Sequence, residues 1–472
     1  MCTVQDTAAP RLELGALPPE LLAGVIKQLT TRDIGRADCV CHLFHGESGP
    51  VEQALRQRAA ERGEAVAADL PEGESSWTQA LCWSERLCAG PRRVHSVGYA
   101  HSAFIDEQGR LLTCGNDNNG RPGLLGHGVD VHKLAVPTVI GSLAHVPIHS
   151  VSACMAHTLV LTKAGGVLSF GEGSDGKLGH GNEDDVFEPT PIEALRGTRV
   201  LAVTAGCRHS LAVTDTGEVF SFGSGQYGRL GHGDQEISYV PILIEALRGV
   251  RVVAASAGEY HSLVLSTAGQ VYSFGMGSDG QLGHRDDFAN QLLPKLIESQ
   301  PPFSAVSAGR SHSLALSTAG EVYSFGDGEN GQLGHCTIDC LCEPDNIMLS
   351  AYSPVHGMRF TAVEAGEEHS FAITDKGELY AWGNGDHGKL GLRDYVTHYE
   401  PNLVDALRGE RVKTVSAWHN HTICALECGR LFGWGAIYVH GPIGGSPLHG
   451  YAPIGGSWTR GCWVCTRARG LE

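Results

Sequence analysis

The sequence predicts a mainly β protein, a seven-bladed β-propeller with a small all-α module in front of it. Three observations lead there. A histidine followed by Ser or Thr recurs seven times, at spacings of 56, 52, 52, 51, 57 and 52 residues. Each recurrence heads two short apolar runs separated by a glycine turn. Glycine itself, at 63 of 472 residues, is about twice its usual share of roughly 7% and has no collagen period.

The seven signatures are GYAHS, ACMAHT, GCRHS, GEYHS, GRSHS, GEEHS and WHNHT, with histidines 101, 157, 209, 261, 312, 369 and 421. The run Ser210–Thr214, the turn Asp215–Gly217 and the run Glu218–Phe222 together write a β-hairpin. A third run, such as Val200–Thr204, precedes each histidine, and a fourth, such as Val240–Ile244, follows each Leu-Gly-His. That makes four strands per unit. Runs such as Val271–Phe274 alternate only weakly, which suits sheets covered on both faces by neighbours. Radially stacked blades meet that need, and closing the ring leaves only short edges.

Spacing within the units is informative. From the signature histidine to the Leu-Gly-His position there are 23 residues in the second to sixth units, with Leu392 standing for His in the sixth. The first unit has 26, through extra residues within Asn116–Gly123. The return segment runs 28 to 30 residues except for 34 between His335 and His369, which marks residues 336–358 as an insertion and a candidate partner contact. After Gly435 the repeat predicts a further glycine turn and an outer strand. The sequence departs from it there, with Ile437–His440 the nearest substitute strand.

Gly223-x-Gly225-x-x-Gly228 after a strand-like run imitates a dinucleotide fingerprint. A true one needs a helix to follow, and Arg229–Gly233 contains two glycines in five residues. The same spacing recurs at Gly171, Gly275, Gly326 and Gly383, so it reads as a repeated backbone turn. The seven His-Ser/Thr pairs invite a hydrolase reading, but a triad is assembled once, whereas these recur around a ring. Their expected work is structural, each histidine bonding backbone at a strand entry. His335, Cys336, Cys340 and Cys342 crowd four metal-ligand types into eight residues, and Cys462 and Cys465 lack a second pair. Neither has structural-zinc spacing. No catalytic residue, metal or cofactor is assigned.

With 52 acidic against 35 basic residues, the net charge of -17 disfavours broad binding to nucleic acid or anionic membrane. No apolar run reaches the length of a membrane span and no leader-like segment opens the chain, so the expectation is a soluble cytoplasmic or nuclear protein. Fifteen scattered cysteines read as reduced thiols.

Residues 17–44 have a different texture. Leu21, Leu22, Val25, Ile26 and Leu29 share one helical face, and Ile34, Ala37, Cys41 and Phe44 another, with Thr30-x-x-Asp33 as a cap between them. A third amphipathic stretch ends at Gly63. Three such helices cannot bury their apolar surface alone. Residues 64–76 read as a linker and 77–88 as a further helix.

Two family resemblances follow. The block from about 90 to 440, with its G-x-x-H-[ST] and G-x-[VL]-[YF]-x-[FW]-G-x-G-x-x-G-x-L-G signatures, resembles the regulator of chromosome condensation repeat family. That resemblance implies the seven-bladed propeller independently of the strand count. It also resembles the plant ultraviolet-B receptor scaffold, whose tryptophans fall where this chain has Cys207, Glu259 and Ser311 or their neighbours. Trp418 is its one signature tryptophan, so photoreception is disfavoured. Leu17, Pro18, Glu20, Leu22, Leu29, Asp33, Ile34, Val40, Cys41 and Phe44 match the F-box pattern in register. This resemblance implies docking on a Skp-type adaptor and, through it, a cullin. The adaptor surface would be drawn from Leu17, Pro18, Leu21, Leu22, Ile26, Ile34, Val40 and Phe44. The expected organisation is an N-terminal tail to residue 16, the F-box-like domain over 17–62, a linker and helix over 63–89, the propeller over 90–440 and a divergent tail over 441–472. The function implied is substrate recognition for a ubiquitin ligase, without an active site of its own. The alternative is nucleotide exchange on a small GTPase or another propeller interaction module.

Overall fold

A computed structural model of the chain describes residues 56–57, 93–117, 123–285, 287–298, 300–348 and 353–436, together with the backbone of 452–454. The chain divides into two compact units, Met1–Gly90 and Pro91–Glu472. In the first, Arg56 and Gln57 are described and are helical. Apart from these two, the residues expected to form the F-box-like domain and the helix at 77–88 lie outside the described set, as do Ile437–His440.

The second unit is a ring of seven four-stranded antiparallel sheets, each continuous in sequence. Blade 1 is β1 (His95–Val97), β2 (His101–Ile105), β3 (Leu111–Asn116) and β4 (Lys133–Val139). Blade 2 is β5 (Ile148–Cys154), β6 (His157–Thr162), β7 (Val167–Gly171) and β8 (Val186–Pro191). Blade 3 is β9 (Val200–Ala205), β10 (His209–Thr214), β11 (Val219–Gly223) and β12 (Ser238–Leu243). Blade 4 is β13 (Val252–Ala257), β14 (His261–Ser266), β15 (Val271–Gly275) and β16 (Gln291–Leu296). Blade 5 is β17 (Phe303–Ala308), β18 (His312–Ser317), β19 (Val322–Gly326) and β20 (Leu341–Asn346). Blade 6 is β21 (Phe360–Ala365), β22 (His369–Thr374), β23 (Leu379–Gly383) and β24 (His398–Leu403). Blade 7 is β25 (Val412–Trp418), β26 (His421–Leu426), β27 (Leu431–Gly435) and β28 (Ala452–Ile454). The first strand of each blade lines the axial channel, and the fourth lies at the rim.

Two details differ from the sequence reading. The outer strand of blade 7 is Ala452–Ile454, paired with Leu431–Gly433 and drawn from the segment read as tail. In blade 5, Leu341–Asn346 is an ordinary outer strand, so the extra residues of the 336–358 insertion fall after it, between Asn346 and Phe360. The length of a return segment does not say where along it the surplus sits.

The second strand of every blade is buried along its whole length, because neighbouring sheets cover both faces. This is why alternation is weak in the sequence. In blades 2 to 7 the third strand supplies an aromatic side chain to the interface, Phe170, Phe222, Phe274, Phe325, Trp382 and Trp434, all buried, where blade 1 has Cys114. Burying one such ring is worth roughly 1.5–3 kcal/mol. The glycine of Leu-Gly-His explains the rest of the joint. Gly231 has φ of +75°, and a Cβ there would stand 3.0 Å from the Phe274 ring of the next blade. Only glycine permits both that backbone and that approach.

Every outer strand carries a proline: Pro137, Pro189, Pro241, Pro294, Pro344, Pro401 and Pro453. A rim strand exposes unpaired N–H groups, and proline removes one without costing a ladder bond within the blade.

Candidate functional site

The signature histidines do not bond backbone at the strand entry, as expected from the sequence. Six of the seven reach across to the next blade. His209 Nε2 lies 2.8 Å from Ser262 Oγ, and His261 Nε2 lies 2.7 Å from Ser313 Oγ. His101 meets Thr158 at 2.9 Å, His157 meets Ser210 at 2.9 Å, and His312 meets Ser370 at 2.9 Å. His421 closes the circle on Ser102 of blade 1 at 3.3 Å. One link is open: both ring nitrogens of buried His369 lack a hydrogen-bond partner among the described residues.

The direction of these bonds follows from the hydroxyls. Ser210, Ser262, Ser313, Ser370 and Thr422 donate their protons to the carbonyls of Lys177, Arg229, Gln281, Gln332 and Lys389, at 2.8–2.9 Å. A hydroxyl has one proton, so in the links of His157, His209, His261 and His312 to Ser210, Ser262, Ser313 and Ser370, Nε2–H is the donor. Nδ1 then carries a lone pair and faces the glycine of its own turn. A Cβ at Gly206 would lie 2.8 Å from His209 Nδ1. A hydrolase needs the reverse polarity, with histidine accepting the hydroxyl proton. Burial accordingly holds His101 at about 4 and His261, His312 and His421 at about 3. Its neutral form is the structural one.

Above this layer the G-x-x-H loops converge on the axis and knit blade to blade through backbone bonds, as in Cys207 N–H to Gly258 O and Glu259 N–H to Gly309 O, both 3.2 Å. The second residue of this turn takes six identities over the seven blades, glutamate alone occurring twice: Tyr99, Met155, Cys207, Glu259, Arg310, Glu367 and His419. This axial mouth holds the least repetitive part of the ring. Arg310 sits among three carboxylates, 3.1 Å from Glu368, 3.5 Å from Glu259 and 3.6 Å from Glu367. Burial and the neighbouring Glu368 and Glu259 push the Glu367 carboxyl up, against the pull of Arg310. The Tyr99 and His419 rings lie 4.3 Å apart, and the buried Arg229 guanidinium lies 5.5 Å from both Tyr227 and Tyr260 while donating to the Glu259 carbonyl.

Below the mouth, the channel is lined by small hydroxyls from each first strand: Ser96, Ser152, Thr204, Ser256, Ser307 and Ser416. Five of them accept an N–H from the next blade, for example Ala205 N–H on Ser152 at 2.9 Å. The seventh equivalent residue is Glu364, which takes the Ala417 N–H in the same way and pairs with Arg93 at 3.2 Å. Its burial raises the carboxyl and Arg93 lowers it, burial being the larger effect.

The adaptor-docking set Leu17, Pro18, Leu21, Leu22, Ile26, Ile34, Val40 and Phe44 lies outside the described residues. In the insertion, Cys336 Sγ faces Glu400 at 3.4 Å and Cys340 Sγ faces Asp327 at 3.9 Å, while His335 bonds Ser324, so these side chains serve separate neighbours. Sequence reasoning missed Glu364, Arg93 and the Arg310 cluster. Stacking the repeats column by column exposes Glu364 as the one acidic residue among hydroxyls.

Comparison with known proteins agrees with this architecture. The RCC1-like domain model matches residues 239–450, and models of the regulator of chromosome condensation (RCC1) repeat match residues 164–213 and 200–229. The Arabidopsis thaliana ultraviolet-B receptor UVR8 is 33% identical over 357 residues, covering 75% of this chain and 79% of that one. The human E3 ubiquitin-protein ligase HERC2 is 36% identical over 339 residues, which are 70% of this chain but 7% of the ligase's length. Yeast RCC1 (Prp20), solved with Kap60, superposes with a TM-score of 0.63 at 20% identity, covering 80% of this chain and 87% of that one. Human WBSCR16 gives 0.61 at 22% identity, over 71% and 86%. The repeat models that match along the ring and the 33% identity to UVR8 over most of its length lead to one conclusion: the chain belongs to the RCC1-repeat propeller family.

Proposed function

We propose that this chain is the substrate-recognition subunit of a Skp-cullin-F-box ubiquitin ligase. In this reading residues 17–62 dock on the adaptor, and the axial mouth of the propeller holds a protein target. The observation that carries the propeller half is the contrast within each G-x-x-H turn. The histidine and hydroxyl are spent on joining blades, whereas the adjoining position presents six different side chains over the seven blades and includes the Arg310 cluster. Variation on a rigid frame is how propellers make specific surfaces. The F-box half rests on the sequence match alone. The ligase function in the name of HERC2 belongs to that protein, nine-tenths of which lies beyond the matched region.

The test uses the full chain expressed with a Skp-type adaptor and a cullin. The wild type should co-purify with the adaptor, and Leu22→Asp should not, while the propeller's thermal transition stays in place. Arg310→Glu should keep the adaptor and lose proteins enriched under proteasome inhibition. The structure of Prp20p has been described together with its binding to Gsp1p and histones. An exchange reading is therefore measured in parallel: accelerated nucleotide release from a small GTPase with no adaptor capture would replace the ligase reading.

A further inference from the structure

We propose that Cys154 and Cys207 form a peroxide-sensitive disulfide site that joins blades 2 and 3 at the axial mouth. Their Sγ atoms lie 3.8 Å apart. The two belong to neighbouring G-x-x-H turns, and neither residue type is called for by the repeat. Cys154 occupies the position held by glycine at 98, 206, 258, 309 and 366. Glycine is needed there because a Cβ would strike the next turn: one on Gly258 would stand 2.3 Å from Gly309 O. In blade 2 the residue after Cys154, Met155, takes a φ of 34°, and β5 is extended so that Cys154 pairs with His157. That shift accommodates a side chain aimed at the following blade, where Cys207 stands.

Access and order of attack follow from position. Both cysteines are buried, and Cys154 also borders the axial channel, the side from which a small oxidant would reach the pair. Cys207 is buried, its thiol pushed up by that burial and by Cys154 beside it, so it acts second. The Cys154 thiolate attacks one peroxide oxygen, the O–O bond breaks, and hydroxide leaves. Cys154 is then a sulfenic acid. The Cys207 sulfur attacks Cys154 Sγ and displaces hydroxide, which departs as water with the Cys207 proton. Two thiols lose two electrons and one peroxide becomes two waters. The link closes a loop that spans a whole blade and ties together two loops of the mouth.

The test is made on the full wild-type chain under native conditions. After treatment with hydrogen peroxide and alkylation of remaining thiols, a non-reducing tryptic digest should contain residues 134–163 joined to residues 200–208. Dithiothreitol should release them, and the oxidised chain should melt at a higher temperature than the reduced one. Cys207→Ser should lose the joined peptide and the rise in melting temperature. The wild-type map needs no variant to fold. If Cys154 and Cys207 remain separate thiols once the exposed Cys336, Cys340 and Cys428 are oxidised, or join only after denaturation, the proposal is wrong. Its outcome does not depend on the ligase reading.

Discussion

Acid should open this propeller at a pH where carboxylate chemistry has hardly begun. All seven signature histidines are buried and neutral, with Nδ1 unpartnered among the described residues; His101, His209, His261, His312 and His369 pack on a turn glycine, and His157, His209, His261 and His312 donate from Nε2 across the blade joint. Protonation would place a second N–H where no acceptor exists. In the folded chain His101 stays neutral down to about 4, and His261, His312 and His421 down to about 3, while His157, His209 and His369 are held well below the ordinary value. In the unfolded chain each titrates near 6.5. Between these limits the unfolded state binds more protons, so stability is complete above about pH 6.5 and is lost as the pH falls. At pH 5.5 the loss is about 1–2 kcal/mol per histidine and on the order of 10 kcal/mol for the seven. A typical domain has about 5–15 kcal/mol in all. Glu364 and Glu367, whose carboxyls burial raises, recover part of this by taking up protons in the folded state. The expected result is one cooperative transition with a midpoint between about pH 5 and 6. Tryptophan fluorescence from buried Trp382 and Trp434, with far-ultraviolet circular dichroism, reads it directly. A midpoint below about pH 4, or signature imidazole resonances that titrate near 6.5 in the folded chain, would refute the reasoning.

Other perturbations isolate single joints. His261→Ala and His369→Ala remove equally buried rings, but only the first breaks an Nε2 bond, so urea unfolding should show His261→Ala costing more by about 1 kcal/mol. Ser221→Ala and His232→Leu should each destabilise by about 1–2 kcal/mol, and the double variant should cost less than their sum, because blade 6 already carries Ala381 with Leu392 in that arrangement. A double-mutant cycle with additive costs would remove the coupling. Gly231→Ala should cost about 1–3 kcal/mol through strained backbone and collision with Phe274, read as a lowered melting temperature.

The Ala381–Leu392 pair shows how far the sequence could be read. Leu392 stood out as a broken histidine column, but its meaning needed the partner. In blades 2 to 5 that histidine bonds the third-strand serine, as His232 bonds Ser221, and where serine becomes alanine the histidine has nothing to bond. Periodicity gave blade number and strand order, since covered sheets leave a distinctive apolar rhythm. It did not give the interblade use of His209 and its kin, because the bonded hydroxyl lies about fifty residues away. The mouth was hidden for a related reason. Arg310 gains its character from Glu259, Glu367 and Glu368, which belong to two other turns, those of blades 4 and 6.

No strand is shared between first and last blade, and the structure gives that arrangement a mechanical corollary. The seam between blades 7 and 1 is held by side chains such as His95 with Thr414 and His421 with Ser102, and the chain enters the ring on one side of it and leaves on the other. Tension applied to either end therefore loads the joint that no covalent path reinforces. A motor pulling on this protein would peel it blade by blade from that gap, meeting many small barriers in place of a single large one.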